Sequence, residues 1–328
     1  MRFGWSLFLV SLSAVSTTCS SEAKRNYDVQ AAPEFLFQGK PTEFGCVDRI
    51  AGQAKPSSRG GKTLLLAANQ PPYLLTHSEK SILRRSEFPS LTITADPYNF
   101  ISVVGGSRTE WTIRFCAEGG GQTEADAREL LQQVSMTRLG ATVSVNSSPL
   151  GESGHRRGSL VLDAPADAPV VIYASYSAVQ VRDIAASVRV TAAHARATIL
   201  DTTGRVDASA FVVDFAGSRG IVNLSADAEI NLKMLSARFD GTLLAWAQRP
   251  VRVLVPAGFV TPFQALVNRR QDFVCRADFC SKITQEKKGS LYVFTYAGDG
   301  SRAPEQFHLR SEHSTVVVDT STETRPVS

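Results

Sequence analysis

Residues 179–234 read VQVRDIAASVRVTAAHARATILDTTGRVDASAFVVDFAGSRGIVNLSADAEINLKM. Apolar residues fall in alternating pairs, Val179/Val181, Val188/Val190, Ala197/Ile199, Val206/Ala208, Val213/Phe215, Val222/Leu224 and Ile230/Leu232. Polar residues such as Arg189, Thr198, Asp207, Asp214, Asn223 and Asn231 stand between the members of a pair. A period of two belongs to a strand with one buried face, because successive side chains leave a pleated backbone on opposite sides. The pairs return about every nine residues, enough for a short strand and a turn, so two of them make a coil of roughly eighteen.

Turn-forming residues lie between the runs at Asp201-Thr202-Thr203-Gly204, Ala216-Gly217-Ser218-Arg219-Gly220 and Ser225-Ala226-Asp227. An antiparallel sandwich would show similar spacing. The inward residues favour a β-solenoid instead, since Val, Ala, Ile and Leu recur from run to run, small and alike, as a narrow stacked core requires. The expected fold class is all-β: a β-solenoid or β-helix-like stack of short strands, preceded by a small strand-rich module with one helix.

These runs resemble the putative-adhesin domain family of uncharacterised bacterial envelope proteins, whose chains repeat a Gly-x-Val-x-Val pattern. Thr203-Gly204-Arg205-Val206-Asp207-Ala208 and Arg219-Gly220-Ile221-Val222-Asn223-Leu224 match it, and Val251 to Gly258 looks like the family's late strand ending in Pro-x-Gly. The likeness covers roughly residues 90 to 320 and departs at Ala193-His194-Ala195-Arg196, which lacks the glycine. It implies a β-solenoid-like fold at the envelope and no particular chemistry.

The rest of the chain divides around the repeat. Residues 1–20 read as a secretory signal, with Arg2 before the apolar stretch Leu7 to Val15 and a small-x-small site at Ala14-Val15-Ser16. Export to the periplasm or the cell surface is expected. No stretch reaches the roughly twenty apolar residues of a transmembrane segment. Cys19 is a possible lipidation site, although Ser16-Thr17-Thr18-Cys19 lacks the Leu and the Gly or Ala of a lipoprotein box; the alternatives are a Cys removed with the signal after Ser20 or one left near the new terminus.

Residues 21–62 form an irregular arm, rich in Ala, Pro, Ser, Lys and Arg. The module spans 63–158, with strands at 91–94, 101–104, 111–115 and 141–145. Gly119-Gly120-Gly121 is expected to break the third of them. A helix over about 123–135 is capped by Thr123 and Asp126, with Ala127, Leu130, Leu131 and Val134 as its apolar stripe. His155-Arg156-Arg157 reads as a solvated turn. The repeat region occupies 159–257, a loop-rich segment with closing strands at 291–296 and 315–318 follows over 258–318, and 319–328 is a disordered tail.

Cysteine usage suits an oxidising compartment, because four cysteines remain once Cys19 is set aside. Cys275 and Cys280 are neighbours on one loop, which leaves Cys46 to pair with Cys116. A zinc site at Cys275/Cys280 lacks a second ligand pair. The formal charge of +4, from 35 basic and 31 acidic residues, is small and spread along the chain, so nucleic-acid binding has no electrostatic basis.

Catalytic, cofactor and metal sites are not expected. Pro56 to Thr63 lacks the first glycine of a phosphate loop. His77, His155, His194, His308 and His313 have no metal-ligand spacing, and a gap of five would set His308 and His313 on opposite faces of a strand. Two functions fit. One is a non-catalytic, adhesin-like or structural envelope protein whose partner is an envelope protein or a surface polysaccharide. The other is a carbohydrate-active β-helix enzyme, a polysaccharide lyase or hydrolase, with Asp201, Asp207 and Asp214 converging from adjoining runs.

Overall fold

The computed structural model describes residues 73–147, 155–300 and 303–321. The signal, Cys19, the arm, Cys46, the 56–63 segment and residues 322–328 lie outside the described residues. The first strands are β1 (Tyr73–Arg84), β2 (Leu91–Ala95), β3 (Phe100–Gly106) and β4 (Glu110–Gly121), followed by helix α1 (Glu124–Gln132). Then come β5 (Val134–Leu139), β6 (Thr142–Ser147), β7 (His155–Pro165), β8 (Val170–Ser175) and β9 (Ala178–Arg182). The central strands are β10 (Val188–Leu200), β11 (Arg205–Gly217) and β12 (Arg219–Met234). After them run β13 (Asp240–Ala247), β14 (Val251–Val255), β15 (Phe263–Val267), β16 (Phe273–Cys275), β17 (Thr284–Lys288), β18 (Leu291–Tyr296), β19 (Phe307–Ser311) and β20 (Val316–Thr320). Among the described residues the chain is all-β apart from α1 and a few short 3-10 turns, and the twenty strands found there form one open sheet.

The alternating runs pair in parallel. Val188 stands opposite Val206 and Val206 opposite Val222, while Ile199 stands opposite Phe215 and Phe215 opposite Leu232. The inward residue of every run from Val179 to Leu232 is buried. The structure differs from the expected short strands in one respect. Two successive runs form one long strand that bends at its middle, where the register shifts between Ala192 and Arg196 and between Ala210 and Val212. Ser225-Ala226-Asp227 is therefore no turn; it lies inside β12. A bend of one or a few extra residues keeps the ladder going on both sides, whereas a turn would end it.

Each long strand is thus one tier of two segments, and the flanking strands supply the same unit in two pieces. β8 and β9 pair with the two halves of β10, and β13 and β14 with the two halves of β12. At both ends the tiers are stacked out of chain order. β2 and β3 lie between β8/β9 on one side and β6/β7 on the other, although β6 and β7 come later than β2 and β3. Likewise β19 and β20 lie between β13/β14 and the earlier strands β15/β16. Beyond the outer tiers the pairing turns antiparallel, β7 with β4 and β4 with β1 at one end, β15 with β18 and β18 with β17 at the other.

The expected module needs several corrections. Gly119-Gly120-Gly121 does not break its strand; β4 continues to Gly121, buried throughout its second half. A Cβ on Gly119 would sit 2.3 Å from the Leu131 backbone nitrogen and 2.4 Å from the Ala127 carbonyl oxygen, so the missing side chains let α1 lie directly on the strand. Gly119→Val must push a helix backbone aside, an overpacking cost of about 3 kcal/mol. Urea denaturation should show that loss, and an unchanged midpoint would mean that α1 does not rest there.

The helix starts as expected. The Thr123 N–H donates to the Asp126 carboxylate at 2.9 Å and the Asp126 N–H donates to the Thr123 hydroxyl at 3.1 Å, completing a capping box. It ends at Gln132, short of 135, because Val134 opens β5 and pairs with Ser147 of β6. β1 was not anticipated, since its side chains are mostly exposed on both faces and show no period.

His155-Arg156-Arg157 is not a turn either. It opens β7, and Arg156 and Arg157 are 6% and 3% exposed. The Arg157 guanidinium reaches both carboxylate oxygens of Glu118 at 2.9 Å, across the antiparallel β4–β7 pair. The segment from 256 to 288, read as loop, holds β15, β16 and β17, and β20 runs past 319 to Thr320. Cys275 and Cys280 are bridged, with their Cα atoms 5.7 Å apart. Cys116 is buried and disulfide-bonded, and Cys46 lies outside the described residues.

Candidate functional site

Because strands stacked in parallel repeat the same side-chain direction, outward residues line up into columns across the tiers. On the first segments, one column runs Arg189, Asp207, Asn223, Leu244, His308, and a second runs Thr191, Ser209, Ser225, Trp246, Arg310. These two columns line an open groove of about 570 Å³ on the outer face of β10 to β13 and β19. Its floor combines an aromatic ring, an aliphatic side chain, a row of hydroxyls and three nitrogen cations or potential cations.

Asp207 is the one carboxylate lining this groove among the described residues. The Arg205 Nε donates to it at 2.8 Å and the Asn223 amide from the next tier donates at 2.7 Å. The Arg205 hydrogen bond, opposed by burial and helped by Asn223, holds the Asp207 carboxyl below its ordinary range. The second segments repeat the device, with the Asn231 amide donating to Asp214 at 2.9 Å and Arg196 paired with it at 3.3 Å. Outward Asp and Asn therefore bond from tier to tier along the stack.

Asp201, Asp207 and Asp214 do not converge. Asp207 and Asp214 sit on the two segments of β11 on either side of its bend, and Asp201 occupies the connection between β10 and β11 with a φ of 49°. Asp201 and Asp214 are absent from the groove lining. The histidines are dispersed as well. His77 bonds Glu79 on β1, His194 stacks on Tyr176 at the bend of β10, and His308 faces the groove. His313 lies beyond β19, so the two late histidines do not share a strand. Among the described residues no three of His, Cys, Asp and Glu gather as a metal site, and no helix is long and apolar enough to cross a membrane.

Trp246, His308 and Arg310 were not singled out from the sequence. Trp246 lies in the stretch Leu243-Leu244-Ala245-Trp246-Ala247, which continues the strand pattern of the repeat, but β19 sits in a segment read as loop, although Phe307-x-Leu309-x-Ser311 alternates. That alternation was the available signal. Nothing local could have shown that β19 slots beside β13 rather than after β18.

No family model and no curated protein matches the chain. Similar solved structures include a putative cell adhesion protein from Clostridium sporogenes, 8% identical, with a TM-score of 0.26 over 75% of this chain and 99% of that one. A putative adhesin from Bacteroides fragilis is 9% identical with a TM-score of 0.25, covering 76% of this chain and 98% of that one. Another from Parabacteroides merdae is 7% identical, TM-score 0.25, over 74% and 96%. At these scores the likeness carries no argument about function.

Proposed function

We propose that the chain is an exported, non-catalytic envelope protein, adhesin-like in role, that holds a partner in the groove on the outer face of a β-solenoid. The groove carries this reading. It is a concave surface that mixes apolar side chains with spaced hydrogen-bonding groups, the composition of a binding site. The parallel ladder, which sets each tier in register on the next, supports a solenoid, the architecture in which a unit is stabilised through its neighbours. Export to the periplasm or cell surface, and a lipid tether at Cys19, belong to the same proposal and rest on the signal-like residues 1–20.

The chemistry favours binding over glycoside hydrolysis. Hydrolysis needs two carboxyl groups facing one bond, one of them protonated at working pH. Asp207 has no second carboxylate beside it in the groove lining, and its donors keep it ionised. The test is attachment of the tagged protein to isolated bacterial envelopes. Trp246→Ala and Arg310→Gln should each weaken attachment about tenfold, as truncation of aromatic and Arg anchors does. Attachment unchanged in both variants would remove the groove as the binding face.

A further inference from the structure

We infer that the groove takes an acidic polysaccharide, laid along the stacking direction across the strands. This rests on the groove being the binding face and adds the class of ligand. The first observation is charge. Arg189, His308 and Arg310 line the groove against a single carboxylate, and that carboxylate is already held by Arg205 and Asn223. Arg310 is half-buried between Trp246 on one neighbouring strand and Leu266 on the other, and no hydrogen bond or ion pair engages its side chain among the described residues. A guanidinium so placed is a fork of donors set for a carboxylate or sulfate, which would bind it in two parallel hydrogen bonds.

The second observation separates a glycan from other anions. A sugar ring presents flat C–H faces and hydroxyl edges, so it needs an apolar platform beside small hydrogen-bonding groups. Trp246 and Leu244 provide the platform, and Thr191, Ser209 and Ser225 stand in one row of hydroxyls leading from it. The third is extent. From β10 to β19 the lining crosses strands spaced about 4.8 Å apart, a length of about 19 Å, which suits a run of several sugars and exceeds a lone ion. An acidic peptide would satisfy the cations but leave the ring platform and the hydroxyl row without matched faces.

The experiment is calorimetric titration of the full chain with polygalacturonate and hyaluronan, against neutral dextran and poly-L-glutamate. At least one of the two acidic glycans should bind, more weakly as salt rises. Dextran and polyglutamate should bind about tenfold more weakly or not at all. Arg310→Gln and Trp246→Ala should each weaken glycan binding about tenfold. Ser209→Glu, which adds a negative charge at an exposed position of the hydroxyl row, should abolish it. Thermal melts of each variant separate lost binding from lost folding. Equal binding of polyglutamate, equal binding of dextran, no binding of either acidic glycan, or full binding by Ser209→Glu would each overturn the inference. If the same variants still lose envelope attachment while no acidic glycan binds, the binding face stands and the ligand class falls.

Discussion

Arg157→Met lowers stability by about 3–5 kcal/mol in equilibrium denaturation, while the double substitution Glu118→Leu/Arg157→Met costs far less than the single one. The side chains of Arg157 and Glu118 are 4% and 3% exposed and face each other across β4 and β7. Removing one partner leaves a buried charge with its main counter-ion gone, and the desolvation of that charge is no longer offset. Removing both leaves an apolar contact of similar volume. The double-mutant cycle is the measurement. A single substitution costing about 0.5 kcal/mol, as at an ordinary surface site, would mean that water reaches the pair and that this end of the sheet is open.

Val206→Asp and Asp207→Val, neighbours on β11, should differ sharply. Val206 is fully buried between Val188 and Val222 of the adjoining tiers, so a carboxylate there has neither water nor partner and costs about 3 kcal/mol or more. Asp207→Val changes the outer face and loses the bonds from Arg205 and Asn223, solvent-screened contacts whose loss costs far less than a buried charge. Hydrogen exchange should show Val206→Asp deprotecting amides near 188–190 and 222–224, since each tier is stabilised through its neighbours. Similar losses from both substitutions would mean a strand buried on both faces.

The Asp207 carboxyl adds a pH signature. Its folded-state value lies below the ordinary one, so it stabilises the fold above about pH 4 and that contribution is lost as pH falls further. Asp207→Asn should flatten the acid limb of a stability profile in that range, lowering stability at neutral pH and leaving the most acidic end almost unchanged. An identical acid limb would show that the Arg205 and Asn223 bonds do not persist in solution.

The repeat was legible because its core is narrow. A strand with Val, Ala, Ile or Leu on one side and Arg, Asp, Asn or Thr on the other states which face is buried without reference to anything distant. The length of a tier was legible for the same reason. Its shape was not, because whether two runs are joined by a turn or by a bend depends on how the corner at Ala192 to Arg196 stacks on its neighbours, which no window of sequence contains. Gly119 to Gly121 and Arg156-Arg157 misled for a related reason. Glycines and charged residues are usually exposed loop formers, and here a helix lies on the glycines while Glu118 from another strand neutralises Arg157 and the Gln133 side chain accepts from Arg156. The groove was half legible. Asp207 stood out by position, whereas Arg310 and Trp246 become neighbours only through the register of β13 with β19.

That register follows from the out-of-order stacking at the C-terminal end, which also changes what truncation means. In a stack built in chain order, deleting the last strands trims an end and leaves every remaining tier on its support. Here β19 and β20 are the last strands described, yet they are hydrogen-bonded on both sides, to β13 and β14 below and to β15 and β16 above. Cutting the chain before Phe307 would take out a middle layer, strand β15/β16 over a gap, and remove one wall of the groove with it. The last two described strands are a keystone of the stack rather than its rim.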